Sequence, residues 1–270
     1  MNQTLTAHPI AHSSVQPFDR QLVAPDAFNA ASFQPHSSRH SRHSPVFSPQ
    51  KESLSTATTT LNLFNFSQTP TQTETFTDSR STATALFKNS TAFANGDVNA
   101  TFIGGLNTPI AETTVKINTF NIAGGTGRRY NADSSNIAIV KGLDFYLAPK
   151  ESFKFDFSGL TTLGAESTSS RKTVLARNKT HIVIYATDSY GTQTPIDRLL
   201  ISTRQTTKGS ELNFKASNGF GLSTTTQPLS LTSNALSFNG TYSRTFDTAT
   251  QLSFVATQTT QTKTGRSHRR

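Results

Sequence analysis

The chain has 270 residues, a formal charge of +9 and no cysteine, which excludes disulfides, zinc–thiolate sites, iron–sulfur clusters and thiol nucleophiles. Hydrophobic residues make up only 33%, and no apolar run approaches the roughly 18 residues that a membrane-crossing helix requires. A charged fraction of 15% is sparse for a nucleic-acid binder, whereas a basic balance also suits anionic polysaccharide or a membrane surface.

Residues 1–56 are rich in His, Ser, Pro and Gln without a sustained period, as in "QPHSSRHSRHSPVFSPQ". Such a segment buries too little apolar area to offset its ordering entropy, so it is expected to be disordered. It lacks the basic start and apolar stretch of a signal peptide. His36, His40 and His43 stand at helical spacing, but Pro35, Pro45 and the neighbouring arginines oppose a metal site there.

From residue 57 short period-two runs follow one another, separated by Gly, Asn, Asp, Ser and Pro. They begin with "TTLNLFNF" (59–66), "TATALF" (82–87), "DVNATFI" (97–103), "TTVKINTFNI" (113–122) and "SNIAIV" (135–140). Next come "LDFYLA" (143–148) and "SFKFDFSGL" (152–160), read together as one hairpin turning at "APKE". "KTVLAR" (172–177), "THIVIYATD" (180–188), "RLLISTR" (198–204) and "ELNFKAS" (211–217) continue the series. It ends with "PLSLTS" (228–233), "ALSFNGTYSRTF" (235–246) and "QLSFVATQ" (251–258). Strands about a dozen residues apart, with no helical pattern between them, predict an all-β antiparallel β-sandwich or jelly roll over residues 57–258. Residues 259–270, with Lys263, Arg266, Arg269 and Arg270, read as a basic tail.

Phe153, Phe155 and Phe157 share one face of an extended chain, opposite Lys154, Asp156 and Ser158. Binding faces favour Trp and Tyr, whose edges hydrogen-bond, so three unrelieved Phe residues predict a core strand. Phe238, Gly240, Tyr242, Arg244 and Phe246 also share one side. An Arg among rings is expected to have a structural partner, either an aromatic face or a carboxylate.

Catalytic chemistry finds little support. The lone His of the strand region is His181, and no G-x-S-x-G elbow is present to hold a nucleophile. "AGGTGRRYNAD" (123–133) lacks the Lys-Ser/Thr of a phosphate loop and the repeated Asp of a calcium roll, so it reads as a tight loop. Carboxylates are scattered singly, which assigns no metal site and no cofactor while leaving a structural calcium open. Arg171, Arg177 and Lys179 share one side of "RKTVLARNK", which reads first as a solvated outer face and alternatively as a small cationic stripe.

"PKESFKFDFSGLTTL" and "SFNGTYSRTFDTATQLSF" resemble segments of a group of uncharacterised cyanobacterial β-rich proteins, over roughly residues 80–258. Many members of that group are exported and carry a C-terminal PEP-CTERM sorting signal, whereas this chain ends in "KTGRSHRR". The resemblance implies a β-rich fold, a surface or extracellular location and no assigned enzymatic activity. The leading expectation is therefore a non-enzymatic structural or adhesive module, with extracellular polysaccharide or other surface proteins as partners. The alternatives are a carbohydrate-binding module using Tyr130, Tyr146, Tyr185 or Tyr190, and a polysaccharide-active enzyme. A capsid-like jelly roll with a basic arm is disfavoured by an N-terminal region carrying only +1 over residues 1–50.

Overall fold

The computed structural model describes residues 52–266, apart from residues 128, 170, 171 and 231 and the side chain of Arg266. Residues 1–51 of the expected disordered tail, with His36, His40 and His43, lie outside the described residues. The strands are β1 Ser53–Phe64, β2 Gln72–Ala85, β3 Thr91–Ile103, β4 Thr114–Thr126, β5 Tyr130–Leu147 and β6 Ser152–Ser167. They continue with β7 Lys172–Thr187, β8 Gln193–Thr206, β9 Gly209–Ala216, β10 Phe220–Ser230, β11 Ser233–Thr245 and β12 Thr250–Arg266. A single 3-10 turn, Ile110–Glu112, is the only helical element among the described residues.

The strands form two antiparallel six-stranded sheets packed as a β-sandwich. Sheet A runs β10-β11-β6-β1-β4-β3 and sheet B runs β2-β5-β12-β7-β8-β9. Side chains alternate between the interior and the two outer faces, as the pleat requires. Phe153, Phe155 and Phe157 are 0–1% exposed, and Phe238 and Tyr242 join them on the neighbouring strand of the same sheet. Phe155 lies 5.3 Å from both Phe66 and Tyr242, ring centre to ring centre. The trio is a core strand, as its alternation predicts.

The "APKE" turn differs from its expected role. β5 belongs to sheet B and β6 to sheet A, so residues 148–151 carry the chain across the sandwich rather than around a hairpin. Two greasy faces are better buried against each other than side by side, and Phe145 meets Phe153 at 4.7 Å. Lys150 takes a positive φ of 66°, and the Glu151 carboxylate accepts from the Ala148 N–H at 2.8 Å to close the corner. β5 also unites two expected strands. Asp144, at φ 59°, makes a bulge opposite Leu252 and Phe254, which turns Phe145 and Leu147 inward after Gly142. Gly142 is required there, because a Cβ would sit 2.7 Å from the Phe254 ring.

The interior is graded along its length. On β12 the inward row reads Leu252, Phe254, Ala256, then Gln258, Thr260, Thr262 and Thr264, all buried. β1 changes likewise, from Leu63 and Leu61 to Thr59, Ser55 and Ser53. In the polar half Asn121 donates to Thr260 Oγ1 and accepts from Ser134 Oγ, both at 2.6 Å. Asn136 donates to the Phe120 carbonyl at 2.8 Å. These bonds satisfy part of the polar load that burial imposes. Both sequence-derived boundaries shift outward: β1 already begins at Ser53, and residues 259–266, expected in a basic tail, form the end of β12.

Arg244 has the structural partner that its neighbours predict. It reaches across the sandwich to Asp197 on β8, donating at 2.8 Å, while the buried Tyr242 hydroxyl donates to the same carboxylate oxygen at 2.9 Å. Its guanidinium also lies 5.5 Å from the centre of the half-buried Phe246 ring. Arg244 is partly exposed, so water replaces some of what its removal takes away. Arg244→Ala is expected to destabilise by about 1–2 kcal/mol, a fall in Tm of roughly 2–8 °C for a domain of this size. An unchanged calorimetric melt would remove Arg244 from the structural set.

Candidate ligand-binding face

The two outer faces differ in chemistry. On sheet A the outward rows are mostly Thr, Ser and Asn, as in the rung Thr225, Ser237, Leu160, Thr60, Asn118 and Asn99. Its outward charges are Lys116 and Lys154 against Asp97, Asp156 and Glu166, two cations to three carboxylates. Sheet B presents Arg80, Lys141, Arg177, Lys179, Arg198, Arg204, Lys215 and Lys263 against Glu74, Asp78, Asp133, Asp144 and Glu211. That is eight cations to five carboxylates, a surplus of three.

Ion pairs neutralise some of these groups. Lys141 meets Glu74 and Arg80 meets Asp78, each at 2.8 Å, and Arg204 lies 3.4 Å from Glu211. Arg177 and Lys179 make no ion pair among the described residues, and register places Arg177 directly opposite Arg204. A shallow concavity of about 540 Å³ runs over β2, β5, β12, β7 and β8. Thr259, Gln261, Ser135 and Ile137 form its floor, with Arg80 on one side and Arg177 and Lys179 on the other. His181, on the same face, has its pKa lowered by burial and then by the nearby Lys179 and Arg198 charges. Its imidazole therefore resists adding one more charge to an already cationic surface.

Two of the four tyrosines named from the sequence, Tyr146 and Tyr185, share this face. Tyr146 is 62% and Tyr190 92% exposed, and Tyr185 is half-buried. Tyr146 and Tyr185 flank β12 on successive rungs, opposite Gln251 and Ser253. Tyr190 rides on the β7–β8 turn, where the Asp188 carboxylate accepts from the N–H groups of Tyr190 and Thr192 at 2.9 and 2.8 Å. Tyr130 faces the interior at the other end of β5 and is 2% exposed, with the Lys172 amine 4.1 Å from its ring centre. It cannot serve as a surface contact, because its position in β5 has the inward parity of Ala132 and Ser134.

Of the cationic stripe, Arg171 lies outside the described residues, while Arg177 and Lys179 stand outward as their spacing predicts. Arg80, Arg198, Arg204 and Lys215 come from three other strands, and only pairing register brings them beside the stripe. The carboxylates stay apart. Asp156 accepts from Asn65 and Thr241, both at 2.8 Å, and Glu151 accepts from Gln68 at 2.6 Å. Among the described residues no three His, Cys, Asp or Glu side chains gather where they could hold a metal ion. The "AGGTGRR" loop is shorter than its composition predicts. Gly124 and Gly125 belong to β4, where the rings of Phe93 and Tyr130 fill the space a Cβ would need. No family model, curated protein or solved structure matches this chain.

Proposed function

We propose that the protein is a non-enzymatic adhesive module of the cell surface, and that the outer face of sheet B holds an acidic polysaccharide. The observation that carries this reading is the concavity edged by Arg80, Arg177 and Lys179, on the one sheet face with a cationic surplus. An acidic glycan chain presents carboxylate or sulfate groups at repeated intervals, and un-neutralised cations on adjacent strands match such a polymer. Tyr146 and Tyr185 extend the same face, and the exposed Tyr190 stands on the β7–β8 turn at its end, with rings that stack on sugar and edges that hydrogen-bond. No catalytic step is assigned: Asp78, which lines the concavity, is paired with Arg80, and Asp133 accepts from the floor residue Gln261. The surface location follows from the resemblance to exported β-rich proteins.

The experiment is a binding panel of acidic and neutral polysaccharides at rising salt. Saturable binding to acidic chains, absent for neutral ones and lost near about 0.3 M salt, is the expected result. Equal binding to neutral chains would move the contact to the tyrosines alone. No binding to either would leave the scaffold reading, which the Thr/Ser/Asn outer face of sheet A favours.

A further inference from the structure

We propose that two copies of this chain associate through β9, pairing antiparallel about a two-fold axis at Asn213 and joining their B sheets edge to edge. The proposal does not depend on any ligand.

β9 ends sheet B, and among the described residues no strand pairs with its outer edge. All eight of its residues are exposed, including Leu212 at 39% and Phe214 at 53%. Its pairing with β8 is free of bulges, and it contains no Pro. Edges of this kind recruit another strand unless something blocks them. The other three edges are managed. β10 carries Pro228 and a register irregularity at Pro228/Ser230. β2 and β3 face one another, with Ser79 Oγ donating to the Gly96 carbonyl at 3.1 Å.

The backbone of β9 is set for pairing. A two-residue turn closes the β8–β9 hairpin at Thr206 and Gly209, which makes that pair hydrogen-bonded. Odd-numbered residues of β9 therefore bond to β8, and Ser217 N–H continues the series by donating to the Arg198 carbonyl at 2.9 Å. Ser210, Leu212, Phe214 and Ala216 direct their N–H and C=O groups to the free edge.

The side chains then select the partner. A two-fold at Asn213 sets Ser210 opposite the partner's Ala216 and Leu212 opposite the partner's Phe214, each an even-numbered pair able to exchange both hydrogen bonds. On the outer face Glu211 stands opposite the partner's Lys215, and Lys215 opposite the partner's Glu211. The strand "GSELNFKA" is thus complementary to itself in charge and in apolar contact. Pairing also makes one continuous cationic face from two.

Analytical ultracentrifugation of the full chain, at concentrations up to about 100 μM, reads the association. The wild type is expected to show a concentration-dependent monomer–dimer equilibrium. Glu211→Lys and Lys215→Glu should each weaken self-association by about tenfold, because each sets like charges opposite one another at two places. An equimolar mixture of the two variants should regain the wild-type affinity, since every cross-dimer pair is then opposite in sign. Leu212→Pro removes a free-edge N–H without breaking the β8 ladder and should abolish dimerisation while the circular dichroism spectrum is unchanged. A wild type that stays monomeric throughout, or a mixture no tighter than its components, would overturn the proposal. Polysaccharide binding by a monomer would leave the function reading intact, so the two can fail separately.

Discussion

Phe155→Ala is expected to lower the unfolding free energy by about 3–5 kcal/mol, the largest effect of any single truncation considered. The ring is fully buried and lies within 6.3 Å of the rings of Phe66, Phe153, Phe220, Tyr242 and Phe254. These neighbours come from both sheets and from the segment after β1, so none can collapse into the void without moving a strand. The corresponding fall in Tm is roughly 6–20 °C. Leu160→Ala is the control: it sits on the same strand but on the outer face, 47% exposed. Its cost should stay within about 0.5 kcal/mol. Denaturant melts giving the two variants equal losses would contradict the assignment of inner and outer rows.

Asp197→Ala is expected to cost about 2–4 kcal/mol, because one carboxylate serves several donors. Its removal leaves the Tyr242 hydroxyl buried without an acceptor and deprives Arg244 of its partner. The pH dependence has a definite sign. Burial by itself raises the pKa of Asp197, but hydrogen bonds from Ser217, Arg244 and Tyr242 and the Arg244 charge outweigh it and hold the value below the ordinary 3.8. A carboxylate whose pKa is depressed in the native state contributes its full stability above the unfolded value. That contribution is lost as pH falls through the depressed one. Asp197→Asn should therefore be less stable than wild type at pH 7, and the gap should narrow below about pH 4. A gap that is constant from neutral to acid pH would show that the carboxylate's charge contributes nothing.

The fold was legible in the apolar half of the sandwich and hidden in the polar half. Phe153, Phe155 and Phe157 announce their strand because each inward position is a large apolar side chain. Thr260, Thr262 and Thr264 point inward just as deeply, yet inward Thr alternating with outward Thr, Gln and Lys has no hydrophobic period. The end of β12 therefore read as tail. Asn178 hid the continuity of β7 in the same way, since "RNK" looks like a turn although Asn178 is buried and donates to Thr161 Oγ1 at 3.2 Å. Edge strands gave the weakest signals. β2 starts ten residues before the run predicted for it, because an exposed strand needs no apolar row.

The candidate face was legible only in fragments. Strand parity exposes Arg177 and Lys179 from the sequence, but their convergence with Arg80 and Arg204 depends on the strand order β2-β5-β12-β7-β8, in which β12 comes from the far end of the chain. Long-range register of that kind leaves no local mark. Tyr130 is hidden for a related reason: its inward row continues with Ala132, Ser134 and Asn136, which carry no apolar signal, while Ile137 and Ile139 stand on the outer row.

Retention on an immobilised acidic polysaccharide, compared between two charge reversals, bears most directly on the adhesive reading. One variant combines Arg177→Glu and Lys179→Glu on sheet B, and the other combines Lys116→Glu and Lys154→Glu on sheet A. Both change the net charge by the same amount. The sheet B variant is expected to pass through unretained, with the sheet A variant eluting close to wild type. Equal loss of retention in the two would show that overall charge, and not the sheet B face, attracts the polymer.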